Sequence, residues 1–256
     1  MYTLDLKHKF LLVLALILVP TLGLAALDDG SFDSEDSGGD ASGIITKYLQ
    51  ATQHHDELRN ASMQVDINAS IVKLKEHGTL RALRKISKVG EVTYRVLFFQ
   101  GDNTVKNDVI ARYLQAEQQG RGDQKLAISP ANYKFKFRGK KSANNGSVYV
   151  FQLSPRKKKV GLFKGEIWLD ASTYLPLVEK GKLVKNPSIW FKKVEFEREF
   201  AIQNGLSVPS KMNSTIDVRL IGKVDLQINY SNFVQNAEAE DDGHAQAQAP
   251  ASIAAN

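Results

Sequence analysis

The chain has 256 residues, 43% of them hydrophobic and 24% charged, which is the composition of one large globular domain or two small ones. It contains no cysteine, which excludes disulfide frameworks, zinc–thiolate sites, iron–sulfur clusters and cysteine nucleophiles. The net charge of +6 is segregated: residues 1–25 carry +1, residues 26–43 carry −6 and residues 235–256 carry −4, so residues 44–234 carry +15. Such a basic body favours anionic partners, whether lipid headgroups, nucleic acid or acidic protein.

The first 25 residues have the pattern of a secretory signal peptide. Met1–Lys9 ends in Lys7-His8-Lys9, and the apolar run Phe10–Leu24 follows it. Gly23 and Ala25 supply small residues at the −3 and −1 positions of a cleavage site. The run of about 15 residues is shorter than the ~20 that a spanning helix needs, which favours cleavage after Ala25 over a retained anchor. An exported chain without cysteine fits the bacterial periplasm.

Acidic segments flank the predicted folded unit. Residues 26–43 consist mainly of Asp, Ser and Gly, and residues 235–256 are rich in Ala and Gln. Segments with so little apolar content cannot bury enough surface to fold, so we predict a disordered linker and a disordered tail. The folded domain is predicted to span residues 44–234.

Two segments have helical spacing. The first begins with Ile44, Ile45, Tyr48 and Leu49. The second follows the capping residues at 102–104 and carries an apolar stripe of Val105, Val109, Ile110, Tyr113 and Leu114. We predict that it is amphipathic, with Arg112 and Glu117 facing outward.

The rest of the chain alternates between apolar and polar residues, as strands do. The pattern is clear over Met63–Ile71, over 79–84, and over Glu91–Phe99, where Val92, Tyr94, Val96 and Phe98 are predicted to share one face. Strands continue from Tyr133 onward, with hairpin turns predicted at 144–146 and 203–205. The fold class is therefore mainly β (α+β): a curved antiparallel half-barrel of about ten to eleven strands with an amphipathic helical lid.

Two helices cover only part of such a sheet, so the space beneath them is either packed core or an apolar pocket suited to acyl chains. The pocket hypothesis places these inward-facing residues around the ligand: Val65, Ile67, Val96, Phe98, Phe135, Phe151, Phe196 and Phe200. Val109, Ile110, Tyr113 and Leu114 would form the lid. The alternative is that these residues form an ordinary filled core.

Charged clusters offer little sign of catalysis. His54-His55-Asp56-Glu57 lacks a third histidine at ligand spacing, so neither a metal nor a cofactor is predicted. Glu195, Glu197 and Glu199 share one face of a strand beside lysines, which favours a solvated surface, with Phe196, Arg198 and Phe200 on the other face. The run Arg156-Lys157-Lys158-Lys159 follows a proline and reads as a loop, either simply solvated or in contact with an anionic surface.

The order of these elements resembles the outer-membrane lipoprotein-sorting (LolA/LolB-like) superfamily over about residues 44–233. The resemblance is carried by the early helix around Tyr48, by the strand at 94–102 before the second helix, and by the Asp170-x-x-Thr173-x-x-Pro176 stretch. It implies a half-open antiparallel barrel, lidded by helices, that holds lipoprotein acyl chains. Relatives also have an early Arg-Pro pair whose arginine helps to hold the lid closed; Arg81 and Arg84 lie in that region here, without a following proline.

We therefore expect a non-enzymatic periplasmic carrier or binding protein for lipoprotein acyl chains, lipid or another apolar ligand. Its expected partners are that ligand and an anionic membrane surface or envelope protein, not nucleic acid, and it is expected to be a monomer. The alternative is a non-catalytic envelope module with a filled core that binds a protein through its basic surface. An exported hydrolase has the least support, because no catalytic motif is present.

Overall fold

The computed structural model describes residues 40–53, 58–119, 126–143, 146–187 and 189–235. The predicted signal peptide, most of the acidic linker, the His54–Glu57 cluster and the acidic tail after residue 235 lie outside the described residues. In the described part of the chain, no helix has the length and apolar content needed to cross a membrane.

Two longer helices, a short 3-10 helix at Val72–Leu74 and ten strands follow one another along the described chain. Helix α1 spans Asp40–Thr52, and α2 begins as a π-helical segment, Val105–Ile110, that continues as the α-helix Ala111–Gln119. The strands are β1 Ala61–Ile71, β2 Glu76–Ile86, β3 Val92–Gly101, β4 Tyr133–Ala143, β5 Gly146–Pro155, β6 Phe163–Asp170, β7 Pro176–Leu183, β8 Phe191–Gln203, β9 Leu206–Val218 and β10 Gly222–Gln235.

All ten strands belong to one antiparallel sheet with the order β3-β2-β1-β10-β9-β8-β7-β6-β5-β4. The first and last strands pair with each other, Ile67 opposite Ile228. Strands β3 and β4 form the two edges and do not pair with each other, so the sheet stays open on the side where α2 connects them. The predicted mainly β half-barrel with a helical cover is confirmed, with ten strands.

The core lies on one face of the sheet, here called the inner face. Buried and accessible residues alternate along the strands, as in β1, where Val65, Ile67 and Ala69 are buried. These residues join one cluster with Ile44, Ile45, Tyr48 and Leu49 of α1 and with the apolar stripe of α2. Helix α1 is also fixed by the Tyr48 hydroxyl, which donates to the carbonyl of Ile128 at 3.2 Å.

Two glycines allow neighbouring strands to come very close. Gly165 on β6 lies opposite Gly181 on β7. A Cβ atom on Gly165 would lie 1.9 Å from the carbonyl oxygen of Lys180, and one on Gly181 would lie 2.5 Å from that of Lys164. No other residue type fits this approach without moving the backbone.

Helix α1 begins at Asp40, four residues before the predicted start of the folded domain. The sequence places residues 40–43 in the linker because they contain little apolar surface. In the structure, Ala41 packs against the core and the Thr46 hydroxyl donates to the carbonyl of Ser42, which extends the helix by a turn.

A bulge in β3 corrects the predicted face of Phe98. Val96 lies opposite Ala82 and Phe98 opposite Arg81, which leaves Leu97 without a partner on β2. Because one extra residue reverses the alternation, Phe99 packs against the core, whereas Phe98 faces away and is 50% exposed. The prediction that Val92, Tyr94, Val96 and Phe98 share one face is therefore wrong for Phe98.

Both predicted hairpin turns connect paired strands. Gln203 lies opposite Leu206, and the two residues between them, Asn204 and Gly205, have φ values of 52° and 78°, as a two-residue hairpin loop requires. Strands β4 and β5 pair up to Ala143 opposite Gly146.

Candidate functional site

Helix α2 covers the inner face of the sheet with the predicted apolar stripe. Val105, Val109 and Ile110 are fully buried, and Tyr113 and Leu114 are buried as well. The stripe is therefore confirmed as the packing face of the helix. Whether it moves as a lid remains a prediction.

Glu117, predicted to face outward, is instead buried beneath α2 with only 2% of its surface exposed. It lies four residues after Tyr113 and eight after Val109, so helical spacing places it in line with the apolar stripe. A carboxylate at such a position requires partners, and the inner face of the sheet provides them. The outward prediction for Arg112 is also only partly right, because Arg112 is half-buried beside Asp108 at 3.4 Å.

The partners of Glu117 form a polar cluster, here called the Arg84 cluster: Arg84, Tyr94, Tyr113, Glu117 and Tyr230. The Nε and Nη2 atoms of Arg84 donate to Glu117 Oε1 at 2.9 and 2.6 Å. The hydroxyls of Tyr113, at 3.0 Å, and of Tyr94 donate to Glu117 Oε2. Tyr230 closes the cluster, its hydroxyl lying 3.2 Å from that of Tyr113. Each carboxylate oxygen thus receives two hydrogen bonds.

The electrostatics of the cluster keep its donors protonated. Burial and the nearby Glu117 raise the pKa of the Tyr94 and Tyr113 hydroxyls well above the usual range. The same two causes raise the pKa of Tyr230 to about 12. Burial lowers the pKa of Arg84, but Glu117 together with the three neighbouring tyrosines outweighs burial and raises that pKa overall. At neutral pH the three phenols of the cluster are therefore neutral and the Arg84 guanidinium is charged.

A second buried ion pair lies within the sheet itself. Glu179 on β7 and Arg198 on β8 are direct cross-strand partners, with Arg198 Nη1 at 3.3 Å from Glu179 Oε2. Burial raises the pKa of Glu179 despite the opposing effect of Arg198. The predicted alternation of β8 is confirmed: Phe196, Arg198 and Phe200 are buried, and Glu195 and Glu197 are exposed.

The residues predicted to line an apolar pocket lie in different environments. Val65, Ile67, Phe151 and Phe196 are buried together in the main core cluster, and Phe200 is buried as well. Phe135 is half-buried, with its ring 6.1 Å from that of Phe151. Val96 and Phe98, by contrast, are 53% and 50% exposed on the edge strand β3. The structure thus brings five of the eight into the interior, and their role towards a ligand remains a prediction.

An open cavity of about 1270 Å³ lies on the other face of the sheet and is lined mainly by polar and charged residues. Its side chains alternate with the buried core residues, so they project from the outer face. Opposite charges neighbour each other across the strands, as Glu166, Lys180 and Glu197 do. The remaining charged lining residues are Lys164, Lys182, Glu195, Lys223 and Asp225, which leaves the lining without net charge. This cavity does not have the chemistry predicted for an acyl-chain pocket.

The run Arg156, Lys157, Lys158 and Lys159 is exposed between β5 and β6, so its prediction as a loop is confirmed. Arg156 is anchored by its Nε atom, which donates to the carbonyl of Pro130 at 2.7 Å. The neighbouring edge strand β4 adds five exposed cations, Lys134, Lys136, Arg138, Lys140 and Lys141. Loop and strand together form one basic edge; contact with an anionic surface stays a prediction.

Among the described residues, no group of three or more His, Asp and Glu side chains is arranged to hold a metal ion. The residues that sequence reasoning missed are Tyr94 and Tyr230, together with the burial of Glu117 and Glu179. The spacing of Glu117 from Tyr113 was an available signal. No sequence signal identifies the two tyrosines, because they come close together only through the pairing of β1 with both β2 and β10.

The sequence matches no known family model and no curated protein. Among solved structures, it is similar to a DUF1329 family protein from Desulfovibrio piger, with 10% identity, a TM-score of 0.43, and 80% of this chain and 96% of that chain covered. It is also similar to a putative outer membrane lipoprotein-sorting protein domain from Vibrio parahaemolyticus, with 13% identity, a TM-score of 0.38 and coverage of 77% and 95%. A LolA superfamily protein from Nitrosomonas europaea gives 14% identity, a TM-score of 0.36 and coverage of 77% and 94%.

Proposed function

We propose that this domain is a non-enzymatic, exported carrier or binding protein for a lipid or a lipoprotein acyl chain. The ligand would lie between the inner face of the sheet and α2, after α2 has moved away from the sheet. The observation that carries the proposal is the attachment of α2: the helix lies over the open sheet and is tied to β2 by the buried contact between Glu117 and Arg84.

In this proposal, the packed interior is the closed state of the carrier. Movement of α2 would uncover apolar residues on the helix and on the sheet, such as Ile110 and Ile67. An acyl chain would replace the contacts that the helix gives up, and each buried methylene contributes roughly 0.8 kcal/mol. The exchange of one apolar partner for another keeps the apolar part of the cost of opening low.

A matched pair of variants tests the proposal with a neutral fluorescent probe, N-phenyl-1-naphthylamine. Arg84→Met releases α2, whereas Arg81→Met, on the same strand, removes the exposed contact with Asp66 on the outer face. We expect Arg84→Met to bind the probe about tenfold more tightly than the wild type, and Arg81→Met to bind like the wild type. Failure of every variant to bind the probe would overturn the proposal.

Lipid retained from the native host is the second test. Residues 26–256, purified without detergent, are extracted with organic solvent and the extract is analysed by mass spectrometry. A lipid present at stoichiometric amounts supports the carrier.

The second candidate is an envelope interaction module with a permanently filled core. The basic edge of β4 and the loop at 156–159 favour it, because nine exposed cations form a surface suited to an acidic protein partner. Absence of both retained lipid and probe binding would favour this module over the carrier.

A further inference from the structure

We infer that Arg84, Tyr94 and Tyr230 form a binding site for the anionic group of an amphiphile, and that Glu117 occupies this site while α2 is closed. These three residues are here called the head-group site. The inference rests on the proposed function and makes it more specific: the ligand is a lipid with a carboxylate or phosphate group rather than a neutral one.

The contacts of Glu117 are those of a bound carboxylate ligand. Two nitrogen atoms of Arg84 donate to one of its oxygens, at 2.9 and 2.6 Å, and tyrosine hydroxyls donate to the other. Arg84 is itself buried, with 5% of its surface exposed. A guanidinium with added hydroxyl donors is the chemistry that recognises carboxylates and phosphates in general.

Three of the four residues that accompany Glu117 in the Arg84 cluster lie on the sheet and one lies on α2. Movement of α2 would therefore leave a binding site on the sheet. Arg84 lies on β2, Tyr94 on β3 and Tyr230 on β10, three strands of the sheet. Glu117 and Tyr113 both lie on α2. When α2 moves away, it takes the carboxylate and one phenol with it, and the sheet retains the guanidinium and two phenols.

The retained guanidinium would then need a new anion. An arginine keeps its charge under all conditions relevant here, and a buried charge without a partner is strongly unfavourable. The head-group site opens onto the inner face, where the acyl chain of the proposed ligand would lie. An anionic group on that chain would restore the interactions that Glu117 provides in the closed state.

The Glu179–Arg198 pair supplies a matched control. Its two residues lie directly opposite each other on neighbouring strands, so no helix movement separates them. Glu179→Gln removes a buried carboxylate from an arginine, as Glu117→Ala does, but it changes no residue of α2 or of the head-group site.

The test compares three ligands of equal chain length, dodecanoate, dodecyl phosphate and dodecanol, by displacement of the neutral naphthylamine probe from the full chain. We expect the ratio of anion affinity to alcohol affinity to be highest for Glu117→Ala, intermediate for the wild type and lowest for Arg84→Met. This ratio should differ about tenfold between Glu117→Ala and the wild type, and again between the wild type and Arg84→Met. The ratio for Glu179→Gln should match that of the wild type. The two anions show whether carboxylate or phosphate is preferred.

The outcomes separate the inference from the proposed function. If none of the three ligands binds to any variant, the proposed function fails. If all bind but the ratio is the same in every variant, only the head-group inference fails. Glu117→Gln, which keeps the shape of the side chain, replaces Glu117→Ala if the latter does not fold.

A second measurement needs no amphiphile. Acetate should raise the thermal unfolding midpoint of Glu117→Ala relative to sodium chloride at equal ionic strength, because it can occupy the vacated position beside Arg84. The double variant Arg84→Met/Glu117→Ala should show no such difference. Equal effects of acetate and chloride on Glu117→Ala would overturn the inference.

Discussion

Arg81 and Arg84 lie three residues apart on β2, yet their surroundings differ completely. The Arg81 side chain is 53% exposed and pairs with Asp66 on the outer face, whereas that of Arg84 is 7% exposed and pairs with Glu117 beneath α2. Exposed pairs contribute little because water and salt screen them. Breaking a buried pair leaves an uncompensated charge, which is far more costly.

Arg84→Met should therefore lower the free energy of unfolding by about 3 kcal/mol, and Arg81→Met by less than about 1 kcal/mol. Urea unfolding monitored by circular dichroism measures both. The double variant Arg84→Met/Glu117→Leu should recover most of the loss, since it removes both buried charges together. Equal losses for the two arginine variants would mean that the buried cluster is not coupled to folding.

The environment of Asp170 lowers the pKa of its carboxyl group, which predicts that the stability of the fold depends on pH. Partial burial raises its pKa, but hydrogen bonds from the backbone and hydroxyl groups of Ser172 and Thr173 outweigh this, so the pKa falls below its ordinary value of 3.8. A lowered carboxyl pKa stabilises the fold above the unfolded value, and this stabilisation disappears as the pH falls through the lowered pKa.

The difference in urea midpoint between the wild type and Asp170→Asn should thus be constant between about pH 5 and 8 and shrink below the ordinary pKa. Thr173→Val removes one donor and keeps the carboxylate, so its pH dependence should be weaker than that of the wild type but still present. A difference that does not change down to about pH 2 would contradict this account.

At the scale of single elements, the alternation of apolar and polar residues predicts the wrong face for part of β3. Phe98 and Phe99 are adjacent in sequence, but the bulge at Leu97 turns Phe98 away from the core and Phe99 towards it. The ring of Phe99 also lies 4.8 Å from the ammonium group of Lys106.

Phe99→Asp should therefore lower the free energy of unfolding by about 2 to 3 kcal/mol, because it places a charge beside the core. Phe98→Asp should change it by no more than about 0.5 kcal/mol, since it replaces an exposed side chain next to Arg81. Chemical unfolding of the two variants measures the difference. The reverse order would mean that β3 runs without a bulge.

These elements show what the sequence can and cannot predict. Periodicity found α2, the β8 alternation and the open antiparallel sheet, because each depends on neighbours within a few residues. The bulge at Leu97 could not be predicted, because a regular period of two residues does not include the extra residue of a bulge. The Arg84 cluster was missed because its five members come from four elements, and their meeting depends on strand order, with β1 between β2 and β10.

The whole molecule has two faces of opposite character. The inner face is apolar, is covered by both helices and contains the Arg84 cluster, whereas the outer face carries a polar cavity whose charges balance. The excess positive charge is concentrated instead along β4 and the loop at 156–159, at one edge of the open sheet. If a carrier contacts an anionic membrane through this edge, the side of the sheet to which α2 connects would face the membrane.

Vesicle binding tests this orientation. Each lysine near an anionic surface contributes about 1 kcal/mol, so Lys157→Gln/Lys158→Gln should weaken binding to phosphatidylglycerol vesicles by roughly 30-fold at low salt. Lys88→Gln/Lys192→Gln removes the same net charge from two exposed positions away from the basic edge and should weaken it much less. At about 1 M salt, where screening reduces the Debye length to about 3 Å, the two variants should become indistinguishable. Equal weakening at low salt would mean that total charge, rather than this edge, governs the attraction to the membrane.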